Sequence, residues 1–261
     1  MNNFQTGLVS VTFRQKSISK ILRMCRENNL EAIEIGSDVH APRDDIANCE
    51  AIRTTAGKEG VRVISYGTYY KLGEQPDPEK TFKEYVRAAK ALGAPNLRVW
   101  AGTKGSGSVS ETERAALTRE ASLCADIAAE SGMTISFEFH GGTLTDDSDS
   151  ALRLMRGLDR ENAHLYWQPN QYRDIEFNVM SLEKVLKYVS TVHVFAWDAR
   201  SGNCIRYPLA DHADAWKRYL DILASDNREH ALLLEFVKDD SDADFVSDAK
   251  TLNEWRNRYA F

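Results

Sequence analysis

A strand-like run followed by a helix-like stretch recurs eight times along the 261 residues, roughly every thirty positions. The strand-like runs are Gly7–Phe13, Glu31–Gly36, Val61–Tyr66, Asn96–Trp100, Thr134–His140, Ala163–Gln168, Thr191–Trp197 and His230–Phe236. Helices are predicted over Ser17–Asn28, Asp44–Gly60, Asp77–Gly93, Glu111–Ser131, Asp147–Gly157, Ser181–Val189, Asp211–Leu223 and Asp242–Arg258. In the first, Ile18, Ile21, Leu22 and Cys25 share a face. Alternating βα units require a parallel sheet with helices outside, and eight of them close into a (β/α)8 TIM barrel. An open doubly wound sheet would have fewer strands and a glycine-rich first turn. No linker or low-complexity stretch interrupts the chain, so residues 1–261 read as one domain.

In such a barrel, chemistry sits where the strands end, because the βα loops form one rim there. The fifth strand alternates: Ile135, Phe137 and Phe139 point one way, and Thr134, Ser136, Glu138 and His140 the other. A surface strand could carry Glu and His there without consequence, but three later strands end in the same manner, in Gln168, His193 and Glu235. Two carboxylates, an imidazole and an amide oxygen on four consecutive strands converge on one small volume. Two carboxylates that close repel, and a divalent cation removes the conflict. With Glu138 and Glu235 ionised and His193 and Gln168 neutral, the donors carry two negative charges against two positive. Oxygen-rich ligation with one nitrogen suits Mn²⁺ first, then Mg²⁺ or Co²⁺, over a thiolate-bound zinc. Separate salt bridges and hydrogen bonds around the rim are the alternative.

Other strand-end residues are candidates for holding substrate. His140 is expected beside the metal or the substrate. The rings of Trp100, Phe195 and Trp197 can face C–H groups of a ligand or pack between strand and helix. Arg98 shares the face of Trp100, and either neutralises an anionic group or braces the barrel. His40, Tyr66 and Tyr69 fall on the same rim in this register. The loop Gly102–Ser108 lacks the Lys-Ser/Thr of a P-loop; its backbone N–H groups can still hold a phosphate, but a flexible lid is the commoner use of such a loop. A net charge of −6 argues against nucleic acid and anionic membranes as partners. No apolar run approaches the ~20 residues of a membrane span, and the N-terminus lacks signal-peptide blocks. Cys25, Cys49, Cys124 and Cys204 have no zinc-binding spacing and read as reduced thiols, so a cytoplasmic location is expected.

Taken with the strand-by-strand layout, Glu138, His193 in Val-His-Val and Glu235 in Leu-Leu-Glu-Phe make the whole chain resemble the xylose-isomerase-like barrel family. That group holds sugar and sugar-phosphate isomerases and epimerases, inosose dehydratases and the endonuclease IV branch. The resemblance implies metal ligands in the order Glu, Asp, His, Glu at the ends of strands five to eight. Glu138, His193 and Glu235 match the first, third and fourth. Gln168, in Trp167-Gln168-Pro169-Asn170, stands where the Asp is expected, and its carbonyl is a neutral oxygen donor.

The resemblance further implies that the metal chelates two adjacent oxygens of a ketose or related polyol. Glu138 and Glu235 would flank the intervening carbon as the acid/base pair of an enediolate reaction, with Trp197 the foremost substrate ring. The expected activity is a divalent-metal-dependent isomerase or epimerase of a small sugar or sugar derivative. A lyase of the inosose, dehydroshikimate or 3-keto-glycoside type is the alternative. A DNA-repair enzyme would need further His and Asp ligands and a basic groove. A non-catalytic sugar-binding barrel would hold no stoichiometric ion. Relatives often pair, so a homodimer or hetero-oligomer is expected.

Overall fold

The computed structural model describes residues 4–259. Its parallel strands are β1 (Phe4–Val9), β2 (Ala32–Gly36), β3 (Arg62–Lys71), β4 (Asn96–Trp100), β5 (Thr134–Glu138), β6 (Ala163–Trp167), β7 (Val189–Val194) and β8 (His230–Leu234). They close in the ring β1-β8-β7-β6-β5-β4-β3-β2. Around them lie α1 (Ile18–Glu27), α2 (Ile46–Glu59), α3 (Pro78–Leu92), α4 (Glu111–Glu130), α5 (Ser148–Leu158), α6 (Ile175–Val185), α7 (Ala213–Ala224) and α8 (Asp242–Arg258). This is the expected single (β/α)8 barrel.

Local chemistry sets the helix ends. Ser17, Asp45 and Asp77 accept backbone N–H groups at the starts of α1, α2 and α3, and Ser110 with Glu113 forms a reciprocal cap on α4. Gly60 and Gly93 end α2 and α3 in the left-handed region, with φ of 70° and 72°.

Several boundaries differ from the sequence reading. Pairing of β1 with β2 ends at Val9↔Glu34, so Ser10–Phe13 has no strand to continue against and coils into a 3₁₀ turn. Helix α6 starts at Ile175, six residues before Ser181, because the Asp174 side chain accepts the Phe177 N–H. It also stops earlier, and Val189 already belongs to β7. The seventh strand leaves the barrel after Val194. Trp197–Asp198 then pairs antiparallel with Ile205–Arg206 as a hairpin.

Outward-facing apolar side chains such as Ile135, Phe137 and Leu165 are fully buried under the helices. The late apolar stripes pack there too: Trp216, Tyr219, Leu220, Leu252 and Trp255 are all buried, and Trp216 Nε1 donates to the Phe195 carbonyl at 2.9 Å. The barrel interior is polar by contrast. Ser65 Oγ donates to Glu34 Oε2 at 2.9 Å, Asn96 Nδ2 to Ser65 Oγ at 3.1 Å, and Ser136 Oγ to Asn96 Oδ1 at 2.8 Å. Buried polar groups of this kind hold position only when every member finds a partner. All four cysteines are free, and among the described residues no helix is long and apolar enough to cross a membrane.

One buried acid makes stability depend on pH. Asp248 of α8 accepts the Leu209 N–H at 2.8 Å, and burial pushes its carboxyl up to about 6. The folded state therefore holds this proton more tightly than the unfolded chain. Stability from this group is full below the unfolded value near 4 and is lost as pH rises through about 6. Asp248→Asn keeps an acceptor for Leu209. It should stabilise the protein at pH 8 by on the order of 1 kcal/mol, with the gain vanishing at pH 4, read as melting temperatures at the two pH values.

Candidate metal centre

Strands β5 to β8 bring the four expected donors together. Glu138, His193 and Glu235 are buried and offer ligand atoms within 4.8 Å of one another. His193 Nδ1 lies 3.6 Å from Glu138 Oε1, 3.4 Å from Glu235 Oε2 and 2.7 Å from Gln168 Oε1. Donors about 2.1 Å from one ion stand about 3 Å apart at right angles and about 4.2 Å apart when opposed. The observed separations fall near that window, so the residues fit a single cation. Gln168 brings a neutral amide oxygen to within 2.7 Å of His193 Nδ1.

The electrostatics agree with the distances. Glu34, Glu138 and Glu235 stand in the barrel against one guanidinium, Arg98, a formal excess of two negative charges. Burial first, and then the neighbouring Glu138 charge, push the Glu235 carboxyl up to about 8. Burial lowers the affinity of His193 for a second proton, with Arg98 and His140 adding to it, so the ring is neutral and able to ligate. Its Nε2 is buried without a hydrogen-bond partner, and the ring packs on Tyr166 with centroids 4.6 Å apart. A divalent cation would bring the interior to neutrality.

A cavity of about 640 Å³ opens above Glu138, Gln168 and Glu235, while His193 is fully buried and does not line it. Glu138, Gln168, Glu235, Arg98, Trp100, His140 and Trp197 line it, and all seven were expected from the sequence. Trp100 Nε1 donates to Glu138 Oε2 at 2.5 Å, and its ring stacks on His140 with centroids 4.2 Å apart. His140 Nδ1 meets the Gly141 carbonyl at 2.8 Å, so that nitrogen carries the proton and Nε2 keeps the lone pair in the neutral ring. Trp197 is fixed by its Nε1 donating to the Phe236 carbonyl at 3.2 Å and by stacking on Phe195, which itself lies outside this cavity.

Two expected residues are elsewhere, and both readings are corrected. Tyr66 is fully buried on the outer face of β3, its hydroxyl donating to the Ala41 carbonyl at 2.6 Å. The register between β2 and β3 shifts at Ile33/Glu34, which turns Ser65 inward and Tyr66 outward, and β3 runs on to Lys71. Tyr69 therefore lines the cavity instead. His40 is buried against Ser10 Oγ at 3.1 Å and the Lys16 carbonyl at 3.2 Å, where it braces the β2–α2 loop away from the cavity. The glycine loop also stays off the lining: Ser106 N–H is held by Asp146, and its carbonyl accepts from Arg114.

The sequence reading missed Glu34, Arg14 and Phe236. Glu34 had a visible signal, a lone acid between Ile33 and Ile35 in a strand buried on both faces. Arg14 lay just past the first predicted strand, and strict alternation put Phe236 on the face opposite Glu235, whereas the strand ends at Leu234. Tyr69 and Phe236 both sit in the left-handed region, at φ of 53° and 46°. For aromatic residues that geometry costs on the order of 1–3 kcal/mol each, and here it belongs to two rings of the cavity wall.

Residues 22–255 match the family described as Xylose isomerase-like TIM barrel. A curated relative, a 3-dehydroshikimate dehydratase of Bacillus anthracis, is 26% identical over 164 residues, which is 60% of this chain and 58% of that protein. The aligned part thus spans less than two thirds of the relative. Among solved structures, a probable 3-DHS dehydratase, AsbF, involved in petrobactin synthesis in Bacillus anthracis, superposes with a TM-score of 0.78 at 18% identity. That match covers 95% of this chain and 98% of the other. A D-allulose 3-epimerase from Methylomonas sp. gives 0.73 at 15% identity over 98% and 99%. At these identities the structural likeness speaks for the fold.

Proposed function

We propose, from the premise that the chain belongs to the xylose isomerase-like TIM barrel family, a divalent-metal-dependent enzyme that moves a carbon-bound proton beside a carbonyl of a small polyhydroxylated substrate. The meeting of Glu138, Gln168, His193 and Glu235 donors at one point carries this reading. Those four residues would hold the cation, Mn²⁺ foremost with Mg²⁺ or Co²⁺ as alternatives. When bound, it supplies positive charge against two substrate oxygens and acidifies the C–H between them.

The chain's own residues do the rest. Among the described residues no other side chain donates a hydrogen bond to the Glu235 carboxylate beyond its 3.4 Å contact with His193, which leaves it able to take the proton. His140 offers Nε2 to a substrate hydroxyl. The rings of Trp100, Trp197 and Phe236 exclude water around the reacting carbon, and Arg14 beside Tyr69 places a positive charge at the cavity wall.

The same proton removal leads to two outcomes. With a leaving hydroxyl on the next carbon, water is lost; otherwise the proton returns and the sugar is isomerised. The 26% identical dehydratase moves elimination ahead of isomerisation, the reverse of the order expected from the sequence. Proton NMR in D₂O with Mn²⁺-loaded protein and a panel of 3-dehydroshikimate, inososes and ketoses separates the outcomes. New olefinic or aromatic signals mean lyase, and deuterium uptake without loss of water means isomerase or epimerase. A fully Mn²⁺-loaded protein that does neither with any of them would remove the enzymatic reading.

A further inference from the structure

We propose that Arg98 is a positioning residue that restricts Glu138 to one donor oxygen, so that a cation in the site keeps two coordination positions for substrate. The inference rests on the metal reading above. Arg98 of β4 is 2% exposed and reaches both neighbouring carboxylates: Nε donates to Glu34 Oε1 at 2.9 Å and Nη1 to Glu138 Oε2. Burial works against its charge, and Glu138 and Glu34 outweigh that effect. Trp100 Nε1 donates to the same Glu138 Oε2. Two donors therefore occupy Oε2, and Oε1 is the oxygen left facing His193 Nδ1 at 3.6 Å.

The pair is braced from below. Ser65 holds Glu34 from the opposite oxygen, Asn96 holds Ser65, and Ser136 and Thr134 hold Asn96. Space for the guanidinium exists because β3 carries Gly67, where a Cβ would come within 2.7 Å of both Arg98 Nη2 and Glu34 Oε1. Tyr69 lies against the other side, its ring centroid 5.3 Å from the guanidinium carbon. Arg98 has no room to swing away.

A carboxylate binds a cation through one oxygen or both. Four one-atom donors on a six-coordinate ion leave two positions, the number that a carbonyl and its neighbouring hydroxyl require. If Glu138 turned bidentate, one position would remain and chelation of two oxygens would fail. The guanidinium fork thus preserves the open part of the site from a distance, through Glu138.

The test compares wild type with Arg98→Met/Glu34→Gln, a double change that removes one positive and one negative charge together and leaves the formal charge of the interior unaltered. Mn²⁺ is titrated by calorimetry, and its bound waters are counted by water-proton relaxation. The proposal expects the double variant to bind Mn²⁺ about tenfold tighter, with relaxation enhancement falling to about half as Glu138 displaces one of two waters. Unchanged affinity and relaxation would overturn it, since a brace that only balances charge predicts no change. Failure of wild type to bind Mn²⁺ would overturn the metal reading and this proposal with it. Should the double variant not fold, Trp100→Phe and Arg98→Lys each remove part of the grip on Oε2. Both should shift the same two readouts in the same direction, and wild-type values in both would equally overturn the proposal.

Discussion

Glu235→Gln should lower turnover by a factor of roughly 10³ or more at saturating Mn²⁺, with the barrel still folded. The substitution keeps an oxygen that can ligate and removes the group proposed to take the proton. Its effect on the unloaded protein has the opposite sign. Burial and the Glu138 charge push the Glu235 carboxyl up to about 8, so the folded chain binds this proton more tightly than the unfolded chain. Stability from this group is full below the ordinary carboxylate range and is lost as pH rises through about 8. Without metal, Glu235→Gln should therefore melt higher than wild type at pH 9 and show less pH dependence between 5 and 9. Loss of turnover together with a raised apo melting temperature is the expected pair. Retained turnover at saturating Mn²⁺ would take the proton-transfer role from Glu235.

Mn²⁺ affinity should climb about tenfold per pH unit up to about 8 and level off above it. The reason is competition: the cation needs Glu235 ionised, and below that pH it must displace one proton. Calorimetry in two buffers of different ionisation enthalpy reads that proton directly, and release near one per ion at pH 7 is expected. At a free Mn²⁺ concentration one hundred times Kd, binding should stabilise the fold by about 2.7 kcal/mol, or about 5–10 °C in Tm for a domain of this size. A chelator should abolish both the shift and the turnover. Binding that is flat from pH 6 to 9 would mean that the ion does not use Glu235.

The fold and the heart of the site were legible for related reasons. The strand-then-helix period is local, and each strand's two-residue alternation assigns its faces without knowledge of its neighbours. Glu138, Gln168, His193 and Glu235 end strands whose count is unambiguous, so closing the ring brings them together. Arg98 and Trp100 follow from the same parity. Where the parity was broken, the reading failed. The shift at Ile33/Glu34 reversed Tyr66, and the premature end of β1 pairing turned a strand-like run into a 3₁₀ turn that holds His40.

What the residues alone determined is the repeating architecture and which candidate donors end its strands, because hydrophobic period and residue type act over a few positions. Only the tertiary structure decided how those donors are held: the Glu34–Arg98–Glu138 line, the gap at Gly67 and the left-handed turns at Tyr69 and Phe236. These depend on which side chain of one strand meets which of another. That is fixed by register and barrel closure, through contacts between residues dozens of positions apart that no local pattern encodes.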